Sequence, residues 1–94
     1  MLEKEVEEKL VRMARMKGGH AWKFVSPGMS GVPDRIVLMP GGRMAFVEVK
    51  RPGEKMRPLQ LRRKRQIEAL GFRVYCLDDP EKVGGVIDAI ENRV

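Results

Sequence analysis

Several residue types that build common catalytic and metal sites are scarce in this 94-residue chain. Cys76 is the only cysteine, which excludes an internal disulfide and a zinc site made from several cysteines. His20 is the only histidine, which excludes catalytic histidine pairs and the two-histidine motif of zinc metalloproteases. No apolar run approaches the roughly 18 residues that a membrane span needs, and the amino-terminal segment lacks the apolar stretch of a signal peptide. We therefore expect a soluble, intracellular protein.

Aromatic residues are also few, at three Phe, one Trp and one Tyr, and they are not interleaved with the basic residues. The net charge is +6, yet the range 50–73 alone holds nine Lys or Arg against two acidic residues, so the rest of the chain sums to −1. This cluster favours a polyanionic partner that is contacted through phosphates rather than through stacked bases. A solvated helix face, or a basic helix that docks on an acidic partner protein, is the alternative.

Hydrophobic periodicity and the Gly and Pro positions predict one domain, 1–94, with the element order α-β-β-β-α-β-α. Leu2 begins the apolar stripe of the first helix, and Asp79 caps the last one. A loop rich in Gly and Pro covers 26–33. The predicted helices span 2–17, 58–70 and the segment after 79–80, and the predicted strands span 21–25, 34–39, 43–50 and 72–77.

The strand 43–50 has the pattern of a strand with one face on a core. Alternate residues of the range 45–49 are apolar, so Phe46, Glu48 and Lys50 share the opposite face, where the carboxylate and the amine lie about 7 Å apart. Asp34 begins the preceding strand, and the turn at 40–42 joins the two strands as a hairpin. We therefore expect Asp34 to lie close to Glu48.

Two adjacent carboxylates are the ligands that a hard divalent cation such as Mg²⁺ requires. A lysine beside such an ion can orient or deprotonate an attacking water and balance charge on a phosphate. The basic segment that follows can hold a nucleic-acid backbone. Each residue also has a structural alternative, because Glu48 and Lys50 can form a surface ion pair and Asp34 can form an Asx turn.

The same segments resemble a known nuclease family. Gly31–Asp34, then Phe-Val-Glu-Val-Lys-Arg-Pro-Gly at 46–53, then Gln60, are similar to the PD-(D/E)xK nuclease superfamily and more closely to its virus-type replication-repair nuclease (VRR-NUC) domain, in the small stand-alone phage-like form. The resemblance implies an α/β, restriction-endonuclease-like fold with an α-β-β-β-α-β core and a mixed four-stranded sheet flanked by helices. It also implies a Mg²⁺-dependent DNA endonuclease, with Mn²⁺ able to substitute, that leaves a 5′-phosphate and a 3′-hydroxyl.

The resemblance further implies a role for each matching residue. Asp34 and Glu48 are metal-binding carboxylates, the backbone carbonyl of Val49 is a further ligand, Lys50 is the catalytic lysine, and Gln60 lies near the site. The family also has an acidic residue on the first helix. Counting back from the glycine that ends that helix favours Glu3, while Glu7 lies one turn further on the same side.

Phosphate contacts carry no base information, so we expect cleavage that selects DNA structure rather than sequence. Stand-alone members resemble junction-resolving enzymes, and a twofold homodimer suits a four-way (Holliday) junction. The apolar excess on the first and last helices would be the natural surface of such a dimer, although the sequence does not locate the interface. We expect no membrane, no small-molecule cofactor and a location in the cytoplasm of a bacterium or a phage-infected host. The candidates for phosphate contact are Arg51, Lys55, Arg57, Arg62, Arg63, Lys64 and Arg65.

Two alternatives to a junction-resolving nuclease stay open. One is a nuclease that acts on flaps or other branched DNA. The other is a non-catalytic nucleic-acid-binding module of the same fold, although two carboxylates beside a polyanion bring such a module no advantage.

Overall fold

Four strands form one mixed sheet in the structure, a computed structural model that describes residues 3–92. The order across the sheet follows the chain, with β1 and β3 antiparallel to β2 and with β4 parallel to β3. This arrangement confirms the predicted α/β fold with a mixed four-stranded sheet. The strands are β1 (His20–Lys23), β2 (Arg35–Met39), β3 (Arg43–Val49) and β4 (Val74–Leu77). The helices are α1 (Glu3–Met16), α2 (Pro58–Ala69), a 3-10 turn (Pro80–Lys82) and α3 (Val83–Glu91).

The observed boundaries differ from the predicted ones by at most two residues, apart from the last helix. There the Asp79 side chain accepts a hydrogen bond from the Glu81 backbone N–H, and Pro80 begins a 3-10 turn, so the α-helix starts only at Val83. Leu2, which the sequence placed at the start of the first stripe, lies outside the described residues. None of the helices within 3–92 combines the length and apolar composition that crossing a bilayer requires.

The hydrophobic core lies between the sheet and the pair of helices α1 and α3. Both helices direct their apolar stripes inward, where β2 and β3 contribute their alternate residues. This corrects the predicted dimer surface, because the stripes of the first and last helices are 0–1% exposed within one chain and are not available to a partner. The residues concerned are Val6, Leu10, Ala14, Val83, Ile87 and Ile90.

The opposite face of the sheet is only partly covered, because α2 packs mainly along β4. Phe46 lies near the centre of this face, 5.4 Å from Phe24 and 6.3 Å from Phe72 between ring centroids. Trp22 stacks on His20 at 4.9 Å and remains 55% exposed. We call Trp22, Phe24, Phe46 and Phe72 the aromatic face.

Candidate active site

The β2–β3 hairpin brings Asp34 to the carboxyl end of β3. Its antiparallel register pairs Arg35 with Val47, so the preceding residue, Asp34, lies at the level of Glu48. The Asp34 carboxylate accepts a hydrogen bond from the Val49 backbone N–H at 2.9 Å. The hairpin and this bond together hold the Asp34 side chain beside the last residues of β3.

The loop before Asp34 is attached to α2. Gly31 has φ +85°, and a Cβ at this position would lie 2.7 Å from Leu59 Cγ on α2, so the loop approaches the helix as closely as a glycine allows. One turn further along α2, Arg63 Nε donates to the Ser30 carbonyl oxygen at 2.9 Å. Arg63, a sequence candidate for phosphate contact, therefore holds the loop that leads to Asp34.

Glu48 and Lys50 are buried side by side at the end of β3. They are 1% and 6% exposed, and Lys50 Nζ lies 3.4 Å from Glu48 Oε2. The Gln60 side-chain amide of α2 donates to the same oxygen. The pair is therefore not the surface ion pair that the sequence left open.

The second carboxylate oxygen of Glu48 is buried and has no hydrogen-bond partner among residues 3–92. A buried, unpartnered oxygen of this kind is expected where a protein binds an ion or an ordered water. Burial and, after it, the nearby Asp34 carboxylate raise the pKa of Glu48 from 4.5 to about 7, against the opposing effect of the Lys50 ammonium. Near neutral pH, Glu48 thus exchanges a proton easily, and a cation at the site would favour its charged form.

These residues line one small cavity of about 220 Å³, whose walls also include Val49. Glu3, at the start of α1, reaches this cavity, whereas the Glu7 carboxylate pairs with Arg35 outside it. The sequence analysis missed Glu54, which also lines the cavity and accepts a hydrogen bond from the Arg51 backbone N–H at 3.2 Å. The turn sequence Arg-Pro-Gly-Glu was the available signal, since it reverses the chain just after β3.

The donor set fits Mg²⁺ or Mn²⁺. No three His, Cys, Asp or Glu side chains within residues 3–92 form a cluster able to hold a metal. Mg²⁺ does not need such a cluster, because it commonly binds one or two carboxylates and keeps several waters. The unpartnered oxygen of Glu48 and the Asp34 carboxylate are oxygen donors at this cavity, and Val49, the third predicted ligand, also lines it.

The structure separates the predicted phosphate contacts into two sets. Arg57 lines the cavity, and Arg51 and Lys55 lie exposed on the segment that leads to it. The run 62–65 lies on α2, where successive residues turn by about 100°, so its four side chains cannot all face one ligand.

Comparisons with known proteins agree with this architecture. The family model described as the VRR-NUC domain matches residues 2–78. The chain is 51% identical over 79 residues to the protein named "Putative nuclease p44" of Acyrthosiphon pisum secondary endosymbiont phage 1, covering 84% of this chain and 85% of that protein. A solved structure described as a VRR_NUC domain superposes with a TM-score of 0.86 at 31% identity, covering 92% of this chain and 94% of the other.

Proposed function

The chain belongs to the VRR-NUC family, and we propose that it is a metal-dependent endonuclease of the PD-(D/E)xK type that hydrolyses phosphodiester bonds in DNA. One observation carries this proposal: the buried Glu48 carboxylate keeps an unpartnered oxygen beside Asp34 and Lys50. A module that only binds DNA would gain nothing from burying a carboxylate next to a polyanion, because the two negative charges repel.

Asp34 and Glu48, with the Val49 carbonyl, would hold the metal ion. When bound, Mg²⁺ or Mn²⁺ supplies Lewis-acid chemistry by polarising a phosphate oxygen and lowering the pKa of the attacking water. Gln60 and Lys50 contact the same oxygen of Glu48, so they orient the carboxylate and leave its other oxygen for the ion.

Lys50 has two further tasks in the proposed reaction. Its ammonium group is held at the cavity wall, where it orients the attacking water and stabilises the charge that develops on the phosphate. Water adds to phosphorus and releases a proton to solvent, the bond from phosphorus to the 3′-oxygen breaks, and this oxygen takes up a proton from solvent, which leaves a 5′-phosphate and a 3′-hydroxyl. Arg57, at the mouth of the same cavity, is placed to bind the phosphate that is cleaved or its neighbour.

We further propose that two copies act together on a branched substrate such as a four-way junction. One chain has one site and cuts one strand, whereas a twofold dimer presents the same geometry to two strands. We place the contact between protomers on the aromatic face, because Trp22 and Phe72 are 55% and 44% exposed there beside the half-buried Phe24 and Phe46. An apolar surface of this kind marks a binding site on a protein.

A cleavage assay tests the chemistry. Wild type and Lys50→Ala are compared on an immobile four-way junction and a matched linear duplex, with Mg²⁺, Mn²⁺ or EDTA. We expect paired, symmetric incisions in the junction that need both the metal and Lys50. Binding without incision in either metal would show that the protein is a DNA-binding module. Incision of flaps alone would show that flaps, and not four-way junctions, are the substrate.

The oligomeric state tests the dimer. Phe72→Glu places a charge on the aromatic face and should convert the dimer to a monomer in light-scattering measurements. Met16→Glu is the matched control, because Met16 is 76% exposed at the end of α1, away from that face. A monomeric wild type, or a Phe72→Glu variant that stays dimeric, would contradict this placement.

A further inference from the structure

A groove runs from the candidate active site along the outer side of α1. The catalytic cavity and a neighbouring hollow share Asp34, and that hollow shares Glu7 and Lys23 with a larger groove of about 690 Å³. The larger groove lies between α1 and the residues Lys23 and Arg35 of β1 and β2, and it extends to Arg15 and Met16 at the far end of the helix. The three cavities thus form one path.

The lining of this groove is strongly basic. Five basic and two acidic side chains line it, and both acids are already paired, Glu7 with Arg35 and Glu8 with Lys4. Arg35 is also occupied on its other side, where Nη1 donates to the Ala21 carbonyl oxygen at 3.0 Å. Arg35 therefore neutralises Glu7 and ties α1 to the sheet, and it is not itself a free cation.

Three cations in the groove have no such partner. Arg12, Arg15 and Lys23 are exposed and make no ion pair or hydrogen bond through their side chains with any of residues 3–92. Arg12 and Arg15 are three residues apart on one side of α1, and Lys23 faces them from the edge strand β1. Unpaired cations on both walls of a trough are the arrangement that binds a phosphate backbone.

We propose that this groove binds the DNA duplex arm next to the cleaved phosphate, with Arg12, Arg15 and Lys23 contacting its backbone. The proposal deepens the function proposed above and rests on it for DNA as the ligand. The path from Glu3 to Arg15 follows twelve residues of α1, about 18 Å, which corresponds to about five base pairs at 3.4 Å each. Sequence charge alone pointed to the range 50–73, so this second binding surface lies outside the predicted one.

The double variant Arg12→Gln, Arg15→Gln tests the groove. It keeps helix-forming residues at two exposed positions, so its melting temperature should stay near that of wild type. The matched control is Lys9→Gln, Lys17→Gln, which removes the same charge from α1 and the residue after it without touching the groove lining. Fluorescence anisotropy measures the Kd for duplex DNA with one labelled arm. The measurement is made in EDTA over a range of salt concentrations.

For the groove variant we expect a several-fold loss of affinity, and the slope of log Kd against log salt should fall by about 2, as two lost phosphate contacts require. We expect the control to keep the wild-type slope. Arms shorter than about five base pairs should weaken binding by wild type but not by the groove variant. An unchanged slope in the groove variant, or an equal fall in the control, would contradict the proposal that the groove binds DNA. If wild type binds DNA with the expected salt dependence but shows no metal-dependent cleavage, the proposed nuclease function is wrong and the proposal that the groove binds DNA is retained.

Discussion

The side chain of Gln60 joins the amino-terminal end of α2 to the carboxylate of Glu48. Its amide nitrogen donates to Glu48 Oε2, and its carbonyl oxygen accepts the Arg57 backbone N–H at 2.9 Å. Gln60 is also the only buried residue of α2. One side chain therefore caps a helix and fixes a candidate metal ligand, so the position of α2 and the geometry of the candidate active site depend on each other.

The first prediction concerns the two hydrogen bonds of the Gln60 side chain. Gln60→Ala removes the cap, which costs about 1 kcal/mol of stability, and it releases the Glu48 carboxylate. Loss of a side chain that orients a metal ligand typically weakens metal affinity or activity 10–100-fold. We expect the Mg²⁺ concentration for half-maximal cleavage to rise by that factor. Gln66→Ala is the control, because Gln66 is exposed on the same helix and its side chain contacts Arg63 rather than Glu48; an equal effect there would refute a role specific to Gln60.

The second prediction concerns pH. In the folded, metal-free protein Glu48 holds its proton up to a pKa of about 7, whereas the unfolded chain releases it near 4.5. Between these values the folded state binds more protons, so the free energy of unfolding should fall as pH rises from 5 to 8, by an amount on the order of 1–3 kcal/mol.

Glu48→Gln removes the titrating group and should flatten this part of the profile. Urea unfolding in EDTA at several pH values, for wild type and variant, measures the difference between them. Parallel profiles for the two proteins would show that Glu48 does not titrate in this range.

The third prediction concerns the loop that carries Asp34. Gly31→Ala forces a side chain into a positive φ and places its Cβ 2.7 Å from Leu59 Cγ. Gly28→Ala is the matched control, since Gly28 has φ +81° in the same loop and an added Cβ there would meet no atom within 4 Å. The control should lose about 1–2 kcal/mol from backbone strain alone.

Gly31→Ala should lose more than that, and it should also cleave more slowly, because displacing the loop moves Asp34. Thermal unfolding and the cleavage rate at saturating Mg²⁺ separate the two effects. Equal stability and equal rates in the two variants would show that the close approach to Leu59 is unimportant.

The sequence predicted the elements that follow from local pattern. The alternation in 43–50 and the turn at 40–42 fixed the faces and partners of the hairpin, and Asp34 and Glu48 accordingly lie close together. The burial of Glu48 and Lys50 did not follow from that pattern, because it depends on where α2 packs. The dimer surface was misplaced for a related reason: an apolar helical stripe shows that a helix packs, but it does not show against which partner.

The basic groove does not show in a sum of charge along the chain. In α1 four acidic and four basic side chains cancel in such a sum. The acids lie in its first half, where Glu3 lines the candidate-site cavity, whereas Arg12 and Arg15 lie in its second half. The second half of the helix thus carries basic charge alone, and the position of Lys23 on β1 shows that this half faces another cation across the groove.

The last prediction distinguishes Glu3 from Glu7, the two candidates for the acidic residue of the first helix. Glu3 lines the catalytic cavity and Glu7 is ion-paired with Arg35, whose side chain is 13% exposed. Glu7→Gln therefore leaves a largely buried guanidinium without its charge partner, and we expect a stability loss of about 1–3 kcal/mol. Glu3→Gln breaks no ion pair within residues 3–92 and should leave the melting temperature nearly unchanged.

For cleavage activity we expect the reverse order, with the larger loss in Glu3→Gln. Glu3→Gln removes a carboxylate from the cavity wall, so cleavage should slow at limiting Mg²⁺ and recover in part as the ion concentration rises. Glu7→Gln, assayed well below its melting temperature, should cleave at close to the wild-type rate. Thermal unfolding and Mg²⁺ titration of the two variants are compared side by side. If Glu7→Gln instead loses cleavage while keeping its stability, Glu7 is the residue that acts in the site, and the Arg35 pair must open when DNA binds.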